Sequence, residues 1–237
     1  MLGDQNVHYE KYRELLNELK KEIPNLIISM DVTRMNRPCF DFGQDFGRLF
    51  IENRGRTNKD HRFYHPYISL RNLWSAAKYF PSQKIELEVM PQIDDYPMEY
   101  VMSTALFASQ LYWGALADLS DEKAAKLKDF MGVFSKHKLA IAEGLVTVFG
   151  DMPEKGNWSG FLSLDKAYPG KTCGYIIVYK NGSAESTKTF DISLIKGKSL
   201  KLVNVYDESE ALSVNGDAPS FNIAEEFGFR LYKLEEA

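Results

Sequence analysis

Residues 8–142 alternate between two hydrophobic periods. Tyr9, Tyr12, Leu15, Leu16, Leu19 and Ile23 recur at spacings of three and four, which predicts a helix with one apolar face, stopped by Pro24-Asn25. Leu26-Ile27-Ile28-Ser29-Met30 follows as a short, almost continuously apolar run, the pattern of a parallel strand covered on both faces. Arg48 to Glu52 repeats that pattern. Leu70, Leu73, Trp74, Ala77 and Phe80 mark a second helix, ended by Pro81. Ile85, Leu87 and Val89 alternate with Glu86 and Glu88 in a third strand. Tyr100 to Gly114 reads as a short helix and then a fourth strand near Phe107 to Tyr112. Ser120-Asp121-Glu122 opens a further helix with a capping hydroxyl and two acids at the positive end of the dipole. Leu127, Phe130, Met131, Phe134 and Ile141 form its buried face, and Gly144 is its stop.

Beyond Gly144 the pattern changes. Leu145–Phe149, Trp158–Leu164, Cys173–Lys180, Lys188–Ser193, Leu200–Tyr206 and Phe227–Leu234 read as short strands separated by turn groups. Strands at this spacing without helices predict an antiparallel β-sandwich, with Asn181-Gly182 as a type I′ hairpin turn. The chain therefore reads as α/β followed by all-β, with residues 1–144 and 145–237 as separate domains. Helix–strand alternation in the first part predicts a parallel sheet of four strands. A closed eight-stranded α/β barrel needs about 250 residues. The first part is thus either an open sheet or the last half of a barrel.

Composition narrows the classes. The chain has 237 residues, 44% hydrophobic and 13% aromatic, which is ample for a core. Its net charge of −4 gives no general attraction to nucleic acid or to anionic membranes, so neither is expected as a partner. No window approaches the roughly 18 consecutive apolar residues of a membrane span. MLGDQNVHYEKY has neither a basic start nor an apolar core, so it does not read as a secretory signal. Cytoplasmic residence is the default expectation, unless the chain is a piece that has lost a signal. Cys39 and Cys173 lack neighbours at metal-ligand spacing and are expected to be free thiols. The sequons at Asn157 and Asn181 are expected to be chance matches.

Candidate chemistry gathers at three strand ends, where parallel α/β folds bind ligands. The first runs into Asp31-Val32-Thr33-Arg34. The second runs into Glu52-Asn53-Arg54 and a long loop to His65. The third ends at Met90, followed by Asp94 and Asp95. Acids, amides and guanidinium forks suit a polyhydroxylated ligand, because each sugar hydroxyl both donates and accepts. Blander roles stand beside these: Asp31 as a turn cap, Glu52 paired with Arg54 or Arg48 at a rim, Asp60 as an ordinary loop acid. His61 and His65 have a ligand-like spacing but sit in a loop without acidic support, so no metal is expected. No phosphate loop, dinucleotide fingerprint, nucleophile elbow or Cys-x-x-Cys pair is present, and no cofactor is expected.

Ile51-Glu52-Asn53-Arg54, then Tyr64-His65-Pro66 and Leu70-Arg71-Asn72-Leu73-Trp74, resembles a block of the α-galactosidase-like glycoside hydrolases, the melibiase group of family 36 and its relatives. The resemblance begins at Met30-Asp31-Val32-Thr33. It continues through Tyr96-Pro97, Leu111-Tyr112-Trp113 and Lys136-His137-Lys138 into Gly144. It implies the C-terminal half of a TIM (β/α)8 barrel followed by a C-terminal β-sandwich. It also implies hydrolysis of terminal α-linked galactosides with retention, by two carboxylates and without a metal. In that frame Asp60 falls where the general acid/base stands, with Glu52 in reserve. Asp31, Asn53 and Arg54 become sugar contacts. Lys59 and His61 flank Asp60 where the family commonly has an aromatic residue. The strand bearing the nucleophile would precede residue 1, so the chain alone is expected to be inactive and to pair with a missing half or with itself. A non-catalytic carbohydrate-binding or assembly protein on the same scaffold is the alternative.

Overall fold

The computed structural model describes residues 2–31, 45–51, 64–112, 116–165 and 173–236, with main chain alone at 2–6 and 31. The order begins α1 (Leu2–Glu22), β1 (Ile28–Asp31), β2 (Gly47–Ile51), α2 (Pro66–Ala76), β3 (Ile85–Val89), α3 (Met98–Ser103) and β4 (Ser109–Tyr112). Two more helices follow, α4 (Asp121–Ser135) and α5 (Lys138–Glu143). Then come β5 (Leu145–Gly150), β6 (Asn157–Leu164), β7 (Gly174–Asn181), β8 (Thr187–Thr189), β9 (Ser199–Asn204), β10 (Ala211–Asn215), β11 (Ser220–Asn222) and β12 (Phe227–Glu236).

The first four strands form a parallel sheet in chain order, as the helix–strand alternation predicts. Strand pairs share a face at each matched position. Ser29 lies opposite Arg48, Phe50 opposite Glu86, and Glu88 opposite Leu111. One face of the sheet is therefore apolar: Met30, Leu49, Ile85, Leu87 and Val89 are buried there with Leu70 and Leu73 of α2. The other face carries Ser29, Arg48, Glu86 and Glu88. The alternation in Ile85–Val89 separates two buried environments, since all five residues are buried.

The remaining strands form a six-stranded antiparallel sheet, ordered β10-β9-β12-β7-β6-β5, and a two-stranded ladder of β11 with β8. The large sheet is covered on both faces. On one, Phe161, Ile177, Tyr179 and Leu231 join the same hydrophobic cluster as the apolar face of the parallel sheet, through Tyr100, Phe130 and Phe134. On the other, Trp158, Ile176, Val178, Leu202 and Tyr232 pack on Phe190, Ile192, Phe221 and Ile223 from the segments around the small ladder. Burial of this apolar surface is what holds the layers together.

Several expectations are corrected. The α1 stripe is covered only in part: Leu16 is buried, while Leu15 and Ile23 are 48% and 51% exposed. Ser120 caps α4 as expected, accepting from the Lys123 amide at 3.3 Å, but the helix divides at Lys136-His137 into α4 and α5. Gly144 is extended (φ −70°, ψ 167°) and makes no left-handed stop. Its lack of a side chain matters for another reason: a Cβ there would lie 2.0 Å from Ser163 Oγ. Asn181-Gly182 does not close a β-hairpin. Asn181 keeps negative φ and ends β7 between Asn157 and Phe227, while the next strand, β8, pairs with β11. Its amide is fully buried and donates to Asn157 and Ser159, so this sequon is structural. Strands β10 and β11 escape the sequence reading because neither has a continuous apolar run, and each is buried at only one position.

Candidate functional site

The three strands whose ends carry the candidate chemistry, β1, β2 and β3, lie side by side in the parallel sheet. Asp31 is the last residue of β1, in register with Phe50 of β2. Glu52, Asn53, Arg54, Asp60 and His61 lie outside the described residues. Glu52 directly follows Ile51, the last residue of β2.

The described part of the sheet's polar face is built around Glu86. Glu86 is 6% exposed, and its carboxylate accepts from Ser29 Oγ and lies 3.7 Å from Arg48 Nη1. Arg48 thus has an ion-pair partner on the adjacent strand β3, while its expected pairing with Glu52 falls outside the described residues. Glu88, 3% exposed, continues the acidic row. A buried carboxylate is costly unless its oxygens are satisfied, so the serine and guanidinium are what allow Glu86 there. The sequence reading gave Glu86 and Glu88 no role beyond their alternation with Ile85, Leu87 and Val89. The signal was present: a parallel strand flanked by helices on its apolar face still has to bury the other one.

At the carboxyl end of β3 the chain gathers aromatic and imidazole groups. His65 Nδ1 lies 2.7 Å from the Tyr96 hydroxyl, and the His65 ring stacks on Tyr67 at 5.1 Å. Burial lowers the His65 pKa below 6.5; Asp95 opposes that shift and Lys155 adds to it. Burial likewise pushes the Tyr96 hydroxyl up, with Tyr67 next in effect. Tyr64, fully enclosed beneath them, donates to the Glu88 carbonyl at 3.1 Å. Asp94, one of the candidate strand-end acids, is drawn to the surface by Lys123 at 2.6 Å. Asp95, also exposed, acts on His65 through its charge. Among the described residues, no group of three or more His, Cys, Asp or Glu side chains is placed to hold a metal ion.

The arrangement supplies fixed acceptors and donors at one end of a sheet, with aromatic surface beside them. That suits a neutral, hydroxyl-rich ligand: hydroxyls meet the polar groups, and C–H faces meet the rings.

No protein-family model matches the sequence, and no curated protein matches it. Solved structures do. The galactosidase domain of the α-galactosidase–sucrose kinase AgaSK superposes with a TM-score of 0.69 at 14% identity, over 94% of this chain and 31% of that one. A substituted form of the GH36 α-galactosidase AgaA from Geobacillus stearothermophilus, in complex with raffinose, gives 0.71 at 9% identity, over 94% and 30%. The α-galactosidase from Lactobacillus brevis gives 0.69 at 11% identity, over 94% and 31%. The similarity is one of fold, and it agrees with the resemblance read from Glu52-Asn53-Arg54 and Leu70–Trp74. The chain spans about 30% of the length of these enzymes.

Proposed function

We propose that this chain is the C-terminal portion of an α-galactosidase-type glycoside hydrolase. Residues 1–144 would be the second half of a (β/α)8 barrel, and residues 145–237 its terminal β-sandwich. The observation that carries the reading is the order of the sheets. Four parallel strands with a polar face are followed, after α4 and α5, by a six-stranded antiparallel sheet. That order superposes on α-galactosidases over 94% of the chain.

In this reading Asp60 is the general acid/base, with Glu52 in reserve. Asp31, Asn53 and Arg54 hydrogen-bond the sugar. A retaining mechanism needs a second carboxylate roughly 5–5.5 Å from the first, and the reading assigns none within residues 1–237. An acid without its nucleophile gives only about 10²–10⁴-fold acceleration. The chain by itself would then bind α-galactosides without turning them over at an enzyme's rate. Pairing with the other half of the barrel would complete the site and cover the edges of β1 and β4.

The test has two arms. Purified chain is incubated with p-nitrophenyl α-galactoside, and nitrophenol release is followed; turnover at an ordinary enzymatic rate overturns the reading. The chain is then combined with the barrel half of an α-galactosidase, with and without Asp60→Asn. Restored activity that Asp60→Asn lowers by about 10²–10⁴-fold supports the assignment. Restored activity indifferent to that change removes Asp60 from it. Sugar binding that survives without any restored activity favours the non-catalytic carbohydrate-binding alternative.

A further inference from the structure

Strand β12 pairs with β7 along residues 227–234, but with β9 only from Tyr232 to Glu236. After the Val205 amide bonds the Leu231 carbonyl at 2.8 Å, the β9 chain turns away. A cleft of about 360 Å³ opens there, between the free edge of β12, the 204–210 turn and helices α3 and α4. This is within the roughly 300–1,000 Å³ of small-ligand sites, and it lies where the helical layer meets the antiparallel sheet.

The two sides of that edge differ in chemistry. Phe227 and Phe229 point towards the helices, where Tyr206 stacks on Phe130 at 4.7 Å and meets Phe229 edge-on at 5.6 Å. Arg230 points to the opposite face. Its Nε lies 3.3 Å from Glu210 and its Nη2 3.4 Å from Glu225, while Nη1 donates to the Phe229 carbonyl at 2.9 Å. Glu210 is itself fixed by Tyr232 at 2.6 Å and Asn204 at 2.7 Å. Glu99, exposed at the first turn of α3, completes the rim and has no hydrogen-bond partner among the described residues.

We infer that this cleft is a second carbohydrate-binding site, taking one or two pyranose rings between the Tyr206–Phe229 surface and the Glu99, Glu225 and Arg230 side chains. Aromatic faces receive the polarised C–H side of a sugar ring, and a guanidinium held between carboxylates offers paired donors and acceptors to adjacent hydroxyls. The charged groups are already compensated by one another, and the remaining excess is acidic, so an anionic ligand is disfavoured. The inference rests on the carbohydrate reading above but uses none of the residues assigned to catalysis.

The full chain, labelled with ¹⁵N, is titrated with melibiose. Amide shifts at Tyr206, Gly228, Phe229 and Arg230, saturating in the millimolar range, are expected. Arg230→Lys keeps the charge and loses the fork; it should weaken those shifts about tenfold, the size of one charge-assisted hydrogen bond. Glu99→Gln, at an exposed position where folding is not at stake, should weaken them by a smaller factor. Asp60→Asn should leave them unchanged. Absence of shifts at residues 206 and 228–230, or indifference to both variants, overturns the cleft. So does tetramethylammonium chloride moving the same amides at lower concentration than melibiose, which would make it a cation site. Shifts confined to residues 28–65 defeat the cleft and leave the α-galactosidase reading standing. Shifts at the cleft with inactive complemented enzyme do the reverse.

Discussion

The Tyr100 hydroxyl donates to the side-chain carbonyl of Asn181 at 2.7 Å, and both residues are fully buried. Tyr100 belongs to α3, next to the parallel sheet, and Asn181 ends β7 of the antiparallel one. The bond therefore ties the helical layer to the six-stranded sheet, beside the Tyr179 hydroxyl that donates to the Ser103 carbonyl at 2.6 Å. Tyr100→Phe keeps the ring and strands a buried amide oxygen. It should cost about 1–3 kcal/mol in urea unfolding. No loss of stability would show that water replaces the hydroxyl.

Glu86 is the second place where a polar group holds buried structure together. Glu86→Ala leaves Ser29 and Arg48 without their shared acceptor on the polar sheet face. A loss of about 2 kcal/mol is expected. Ser29→Ala should be milder, and the double variant should fall short of the sum by more than about 0.5 kcal/mol if the two side chains interact. Strict additivity in a double-mutant cycle would refute the contact.

Gly160 sits in the middle of β6, where a Cβ would lie 2.1 Å from the Phe149 ring. That ring is buried edge-on against Phe190 at 5.1 Å, so it has little room to retreat. Gly160→Ala should destabilise by about 1–3 kcal/mol through overpacking. Phe149→Leu in the same chain should recover part of the loss, as read from thermal melting.

The imidazoles give a pH dependence with a defined sign. Burial lowers the pKa of both His65 and His137 from 6.5, helped at His137 by the cations Lys233 and Lys136. The unfolded chain then takes up protons before the folded one does. This penalty is absent above pH 6.5, grows as pH falls below it, and levels off beneath the folded pKa. Melting temperature should decline over that window. NMR titration of the His65 ring should show a midpoint below 6.5, and a midpoint at or above that value would contradict the burial argument.

Much of the fold was legible because its signals were local and redundant. The Ile85–Val89 alternation, the Ser120 cap and the apolar runs of β1, β2, β6 and β7 each name their element without reference to the rest of the chain. What escaped depends on partners distant in sequence. Whether Glu86 faces water or a buried network is decided by Ser29 and Arg48, strands away. Asn181-Gly182 carries a hairpin signal, yet Asn181 is claimed by Asn157 and Tyr100 before it can turn. Gly144 was read from local stop chemistry, and its constraint comes from Ser163 across the junction. The cleft beside Arg230 left no sequence signal, because it forms where one strand outruns its neighbour.

Strand β12 lies between β7 and β9, so β9 and β10 reach the rest of the six-stranded sheet only through it. During synthesis, β5, β6 and β7 can assemble as successive hairpins as they emerge. The β9–β10 hairpin must then wait, with one flank exposed, until residues 227–236 leave the ribosome. Closure of this sheet is thus set by its last-made strand, and the interval before it arrives is when the nascent chain most needs protection from its neighbours.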